Sequence, residues 1–121
     1  MAKKILVADD NPLIRRALSR ILEAQADYDL CAEAENGEEA IALAMKHRPD
    51  LIILDLEMPV MNGIDAAIEI KRELPAVPII LFTQYADVVT RSAFTNLPVD
   101  RVVSKGDGAS LLGHIRTLIS A

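Results

Sequence analysis

Five polar residues stand directly after short apolar runs: Asp9 and Asp10 after residues 5–8, Asp55 after 51–54, Thr83 after 77–82 and Lys105 after 101–104. Taken singly, none implies chemistry. A polar residue after a strand is usually a cap or a solvated loop position, and an Asp-Asp pair before a helix complements the helix dipole without further role. The conjunction says more. Three carboxylates brought together require a cation, and hard oxygen ligands with room for water suit Mg²⁺. A Thr hydroxyl and a Lys ammonium beside them suit an anion, one as donor and one as point charge. A site holding both is organised for phosphoryl transfer, where positioning and charge stabilisation supply most of the catalysis.

The elements that must position these residues are legible as alternating periods. Runs rich in aliphatic residues at 5–8, 30–34, 51–54, 77–82 and 101–104 read as strands. Between them lie segments of helical period. The first carries Leu13, Ile14, Ala17, Leu18, Ile21 and Leu22 on one face, with Asn11 as N-cap and Pro12 at the first helical position. A second helix opens at Asn36-Gly37-Glu38-Glu39 and is stopped by Pro49; a third runs over about 64–74. The fourth, over 87–95, has the weakest apolar stripe, and the fifth carries Leu111, Leu112, Ile115, Leu118 and Ile119. Strand–helix alternation of this kind predicts an α/β fold, a parallel five-stranded sheet covered by helices on both faces. Almost purely apolar strands agree, since both of their faces are buried. Sites in such sheets form at the carboxyl ends of the strands, where all five polar residues fall.

Composition narrows the function classes. A chain of 121 residues predicts one domain over 1–121, and 51% hydrophobic residues suffice for one core. Aromatics are only 3%, so that core must be aliphatic. A net charge of −5, without a basic run or an aromatic stacking platform, argues against direct nucleic-acid binding. Cys31 is the single cysteine, which rules out an internal disulfide and a cysteine metal site; it reads as a small buried hydrophobe. His47 and His114 fall on helices and read as exposed polar positions, neither phosphodonor nor metal ligand. The apolar runs are too short to span a bilayer and the N-terminus is no signal peptide, so the expectation is a soluble, reduced, cytoplasmic domain without membrane contact.

The set Asp9-Asp10, Asp55, Thr83 and Lys105 resembles the active-site quintet of bacterial two-component response-regulator receiver domains, in order and roughly in spacing. Leu51-Ile52-Ile53-Leu54-Asp55-Leu56-Glu57-Met58-Pro59 and Met61-Asn62-Gly63 are similar to that family's phosphoacceptor strand and following loop. The resemblance covers essentially the whole chain. It implies a doubly wound, flavodoxin-like (βα)5 three-layer sandwich with strand order 2-1-3-4-5. It implies that Asp55 accepts a phosphoryl group from a phosphohistidine on a sensor histidine kinase or phosphotransfer protein. Asp10, Asp55 and the backbone carbonyl of Glu57 would bind Mg²⁺ directly and Asp9 through water, while Thr83 and Lys105 would bind phosphoryl oxygens. The output partner implied is an effector, a C-terminal helix-turn-helix domain outside this chain among the candidates. A homodimer through the fourth helix, fifth strand and fifth helix is also implied. On this reading the chain is a signalling switch, catalysing only its own phosphorylation and dephosphorylation.

Three positions depart from that family's pattern. Gln84 stands where a very small residue is usual, and it would either narrow the approach to Asp55 or point to solvent. Val102 replaces the usual switch aromatic; Tyr85 and Phe82 lie close enough in sequence to substitute. Gly106 replaces the Pro after Lys105, so a trans bond is expected there, since cis before a non-proline residue costs roughly 2.5–4 kcal/mol. The run Lys105-Gly106-Asp107-Gly108 reads as flexible. Glu57 and Tyr85 flank the expected phosphate position and imply a longer-lived aspartyl phosphate than in fast chemotaxis-type regulators. Two enzyme rivals fail on motif. A haloacid-dehalogenase-type phosphatase needs a second Asp where Glu57 stands, and a flavodoxin needs a Ser/Thr-rich loop where Asp9-Asp10-Asn11-Pro12 stands. The serious rival is a degenerate receiver acting as a constitutive interaction module.

Overall fold

A computed structural model describes residues 2–91 and 97–120. Five strands form one parallel sheet: β1 (Lys3–Ala8), β2 (Tyr28–Ala34), β3 (Leu51–Leu54), β4 (Ile79–Thr83) and β5 (Arg101–Ser104). Their order is β2-β1-β3-β4-β5, as the resemblance implied. The helices are α1 (Pro12–Glu23), α2 (Gly37–His47), α3 (Gly63–Glu73), α4 (Ala86–Arg91) and α5 (Leu111–Leu118). A 3₁₀ turn, Lys105–Ser110, precedes α5.

The period-two alternation of the strands sorts the core into two layers. Ile5, Val7, Leu51, Ile53, Ile80, Phe82 and Val103 face Leu18 and Leu22 of α1 and Leu111 and Ile115 of α5. Leu6, Ala8, Ile52, Leu54, Ile79 and Leu81 face Ala40 and Ala44 of α2, Ala67 and Ile70 of α3 and Val89 of α4. The contact residues on α2 and α3 are mostly alanines, which bring backbones close where few large side chains are available.

Helix starts follow local chemistry. The Asn11 side chain accepts from the Leu13 N–H at 2.9 Å with Pro12 in the first turn, Asn36 accepts from the Glu39 N–H at 2.8 Å, and Asn62 from the Asp65 N–H at 2.9 Å. Each satisfies one of the donors that a helix N-terminus leaves without an internal partner. The α2 helix ends at Arg48 in the left-handed region (φ 46°), with Pro49 barring continuation.

The opposite end of the sheet uses one device twice. The Asp50 N–H donates to the Lys4 carbonyl and its Oδ2 accepts from the Lys4 N–H, both at 2.7 Å. The Asp100 N–H donates to the Ile79 carbonyl and its Oδ2 accepts from the Ile79 N–H, both at 2.8 Å. Lys71 completes the second pair, with Nζ 3.0 Å from Asp100 Oδ2. Asp100→Ala leaves the N–H of fully buried Ile79 without its acceptor and is expected to destabilise by about 1–2 kcal/mol. Asp100→Asn keeps an acceptor and should lose less. Equal urea midpoints for Asp100→Ala and the parent would refute the device.

The fourth helix begins at Ala86, one residue before the expected 87, and its expected end at 95 lies outside the described residues, as do all of 92–96. The run after Lys105, expected to be flexible, instead winds into the 3₁₀ turn. The Ser104 hydroxyl accepts from the Gly106 N–H at 3.1 Å and closes its first residues. His47 and His114 stand on helices as expected but are half-buried and not exposed. Cys31 is also half-buried: it is the extra residue where β2 bulges against β1 between Ile5 and Leu6, at the sheet edge.

Candidate functional site

The ladder hydrogen bonds continue one residue past β1 and β3 and aim two carboxylates at the same point. The Asp9 N–H donates to the Ala34 carbonyl at 3.0 Å, and the Asp55 N–H to the Ala8 carbonyl at 2.9 Å. Asp9 and Asp55 are only 2% and 5% exposed, while Asp10 faces the opening. Carboxylate oxygens of Asp9, Asp10 and Asp55 lie within 4.8 Å of one another. Lys105 arrives from the end of β5: its Nζ is 2.8 Å from Asp9 Oδ2 and 3.1 Å from Asp55 Oδ2. Asp9 Oδ1 accepts from the Asn11 N–H at 2.9 Å.

Burial pushes the Asp55 carboxyl up to about 6, with the Asp9 charge adding to the shift and Lys105 and its hydrogen bond opposing it. Burial alone would lower Lys105, but the hydrogen bond to Asp9 and the charge of Asp55 outweigh it and hold the ammonium above its ordinary value. Three acids facing one ammonium form a charge-deficient group. A small divalent cation fits this all-oxygen donor set, which is the chemistry Mg²⁺ prefers.

The site opens into a cleft of roughly 960 Å³ lined by Asp10, Asp55, Glu57, Met58, Gln84 and Lys105 among others. Gln84 is exposed and lines this opening, which agrees with the solvent-facing alternative of its sequence expectation. Glu57 is likewise exposed on the lining. Thr83 is placed differently. It is fully buried, its hydroxyl accepts from the Tyr85 N–H at 3.0 Å, and it is not among the residues lining the cleft. The Lys105–Gly106 bond is trans, as expected from Gly at 106.

The loop after Asp55 is held by close approaches rather than by side chains. The Met61 N–H donates to the Pro59 carbonyl at 2.7 Å around Val60, whose φ of 70° and 75% exposure mark a strained three-residue turn. That turn aims the Met61 carbonyl at the Gly37 N–H, 3.0 Å away, and a Cβ on Gly37 would sit 2.4 Å from the same oxygen. Gly63 donates to the Leu56 carbonyl at 2.9 Å, and a Cβ there would lie 2.1 Å from the Asp55 carbonyl oxygen. Sequence reading found Gly37 only as a helix opener and Gly63 only as part of a motif. It missed Arg15 entirely, whose guanidinium donates to the Asp9 carbonyl at 2.7 Å; nothing in the sequence separates it from Arg16 beside it.

Residues 5–116 match the family described as response regulator receiver domain. The chain is 40% identical over 102 residues to a protein-glutamate methylesterase/protein-glutamine glutaminase of Hahella chejuensis, covering 84% of this chain and 26% of that protein. It is 37% identical over 87 residues to the response regulator protein VraR of Staphylococcus aureus, covering 72% of this chain and 42% of that one. The chain thus spans less than half the length of these curated relatives. Among solved structures, response regulator protein TrrA of Thermotoga maritima in complex with Mg(2+)-BeF is 36% identical, with a TM-score of 0.84 over 97% of this chain and 99% of that one.

Proposed function

The chain belongs to the response regulator receiver family, and from that premise we propose that Asp55 is its phosphoacceptor and that the domain is a phosphorylation switch. The observation that carries the reading is the convergence of Asp9, Asp10, Asp55 and Lys105 from three strand ends on one point. An Asp55 carboxylate oxygen attacks the phosphorus of a donor phosphohistidine. The new O–P bond replaces the P–N bond, whose electron pair leaves with the donor imidazole.

Asp10, Asp55 and the Glu57 carbonyl would hold Mg²⁺, with Asp9 helping through water, and the ion would supply positive charge against the carboxylates and phosphoryl oxygens brought together there. Lys105, already seated on Asp9 and Asp55, transfers its contact to a phosphoryl oxygen as that group arrives. The Thr83 hydroxyl, buried and accepting from the Tyr85 N–H, keeps its own proton to donate to a phosphoryl oxygen, and its movement toward that group carries the signal into α4. The donor is a sensor histidine kinase or phosphotransfer protein and the recipient an output effector, with action in the cytoplasm. Among the described residues no helix is long and apolar enough to cross a membrane. The domain's own catalysis extends to its phosphorylation and dephosphorylation and no further.

Incubation with acetyl phosphate and Mg²⁺ tests this directly. A mass gain of about 80 Da, one phosphoryl group, is expected and should vanish in Asp55→Asn. The burial of Thr83 beneath exposed Gln84 favours one second reading, a constitutive interaction module, and absence of the mass gain would support it. Glu57 and Tyr85 are exposed two residues beyond Asp55 and Thr83, and Glu57 lines the cleft; on this reading they would hinder an attacking water. A slow radiolabel decay follows, and a half-life of seconds would contradict it.

The Asp55 value of about 6 gives the cation site a pH dependence. Protons compete with Mg²⁺ for this carboxylate, so apparent affinity should fall as pH is lowered through about 6 and level off above it. Calorimetric titration between pH 5 and 8 measures this. A flat profile would show that Asp55 is not a ligand.

A further inference from the structure

We propose that Arg15 is a positioning residue for the Asp9–Asp10 pair, acting through the peptide that joins them. The inference rests on the reading of those carboxylates as cation ligands. Arg15 lies in the first turn of α1 and would be expected, like exposed Arg16 beside it, to extend into water. Its side chain is instead only 14% exposed. Nη1 donates to the Asp9 carbonyl oxygen at 2.7 Å, Nε lies 3.4 Å from Glu33 Oε1, and Nη2 lies 3.4 Å from Glu35 Oε1. The rigid fork of a guanidinium can address a carbonyl on one side and two carboxylates on the other, which an ammonium cannot.

The carbonyl that Arg15 holds belongs to the planar peptide from which Asp10 departs. The other side of Asp9 is tied as well, its N–H to Ala34 and its Oδ1 to the Asn11 N–H. With the carbonyl also held, rotation of the peptide plane is restrained, and exposed Asp10 is directed by that plane. Glu33 and Glu35 at the end of β2 supply the counter-charge that keeps the guanidinium in place. Glu35 is in turn set by its N–H, which donates to Glu39 Oε1 at 3.2 Å. Arg15 thus acts on the site through backbone, much as outer partners orient metal ligands.

The test is Mg²⁺ titration of the full chain by calorimetry, with urea unfolding measured alongside. Arg15→Met is expected to raise the Mg²⁺ dissociation constant roughly tenfold and to shift the ¹³C resonance of the Asp9 carbonyl. Arg16→Met should change neither. Arg15→Lys keeps the charge without the fork and should weaken binding by roughly threefold, a partial rescue; it carries the test alone if Arg15→Met does not fold. A lowered urea midpoint with a dissociation constant within about twofold of the parent would overturn the proposal and leave Arg15 a strut between α1 and β2. Failure of the parent protein to bind Mg²⁺ would instead remove the reading of the carboxylate cluster itself.

Discussion

Asp55→Asn is expected to make the metal-free protein more stable at pH 7 and above, while abolishing its phosphorylation. The folded-state value of Asp55 lies near 6, against 3.8 for the ordinary carboxyl. Between those values the folded chain binds more protons than the unfolded one, so stability falls as pH rises. The stabilising effect of the proton is complete below 3.8 and is lost as pH rises through about 6. At neutral pH the buried carboxylate therefore stands ionised at a cost, facing Asp9 and Asp10 with Lys105 as partial relief. Two pKa units correspond to at most about 3 kcal/mol, and water reaching the open cleft reduces this to roughly 1–2 kcal/mol.

Asn removes that charge at nearly constant shape and leaves Lys105 its contact with Asp9. The urea midpoint of Asp55→Asn should exceed the parent's at pH 8 and converge with it only below 3.8, where Asp55 is protonated in folded and unfolded chains alike. Mg²⁺ should reverse the order, since only the parent keeps the full ligand set and gains from binding by mass action. A midpoint at pH 8 equal to or below the parent's would show that Asp55 is a structural anion already balanced by Lys105.

Gly63→Ala should damage both fold and site. The added methyl would lie 2.1 Å from the Asp55 carbonyl oxygen, 2.9 Å from its carbonyl carbon and 3.2 Å from the Leu56 Cα. All three are backbone atoms, so no rotamer change relieves the contact, and either the start of α3 or the Asp55 backbone must move. Overpacking of this kind costs roughly 1–3 kcal/mol. A displacement of even about 1 Å at a reacting group can slow its reaction roughly a hundredfold, so acetyl phosphate labelling should fall by that order. Gly113→Ala is the control: nothing lies within 4 Å of its added methyl, and within α5 it should be neutral or stabilising. Labelling of Gly63→Ala at the parent rate would mean that the close approach is relieved without moving Asp55.

The chain order of apolar and polar residues was enough for most of the fold. Strand alternation, Asn caps at 11 and 36 and prolines at 12 and 49 act within a few residues, and the boundaries they predict lie within about three residues of those observed. The fourth helix was the least legible because its apolar stripe is weak; among its described residues Val89 packs into the core. Glycine after Lys105 permits flexibility without requiring it, so the 3₁₀ form of that run, with the Ser104 hydroxyl accepting from the Gly106 N–H, could not be read from residue types alone.

The site divides in the same way. That Asp9, Asp10, Asp55 and Lys105 fall at strand ends followed from local pattern, because a parallel sheet brings all its carboxyl ends to one edge whatever the loops contain. Tertiary structure alone decided that Lys105 sits on Asp9 and Asp55, that the Thr83 hydroxyl is turned onto Tyr85, and that Gly63 lies against the Asp55 carbonyl. It also selected Arg15, not Arg16, to grip the Asp9 carbonyl. Periodicity and capping are short-range and can be read along the chain. The direction of a buried side chain depends on the distant segments packed around it.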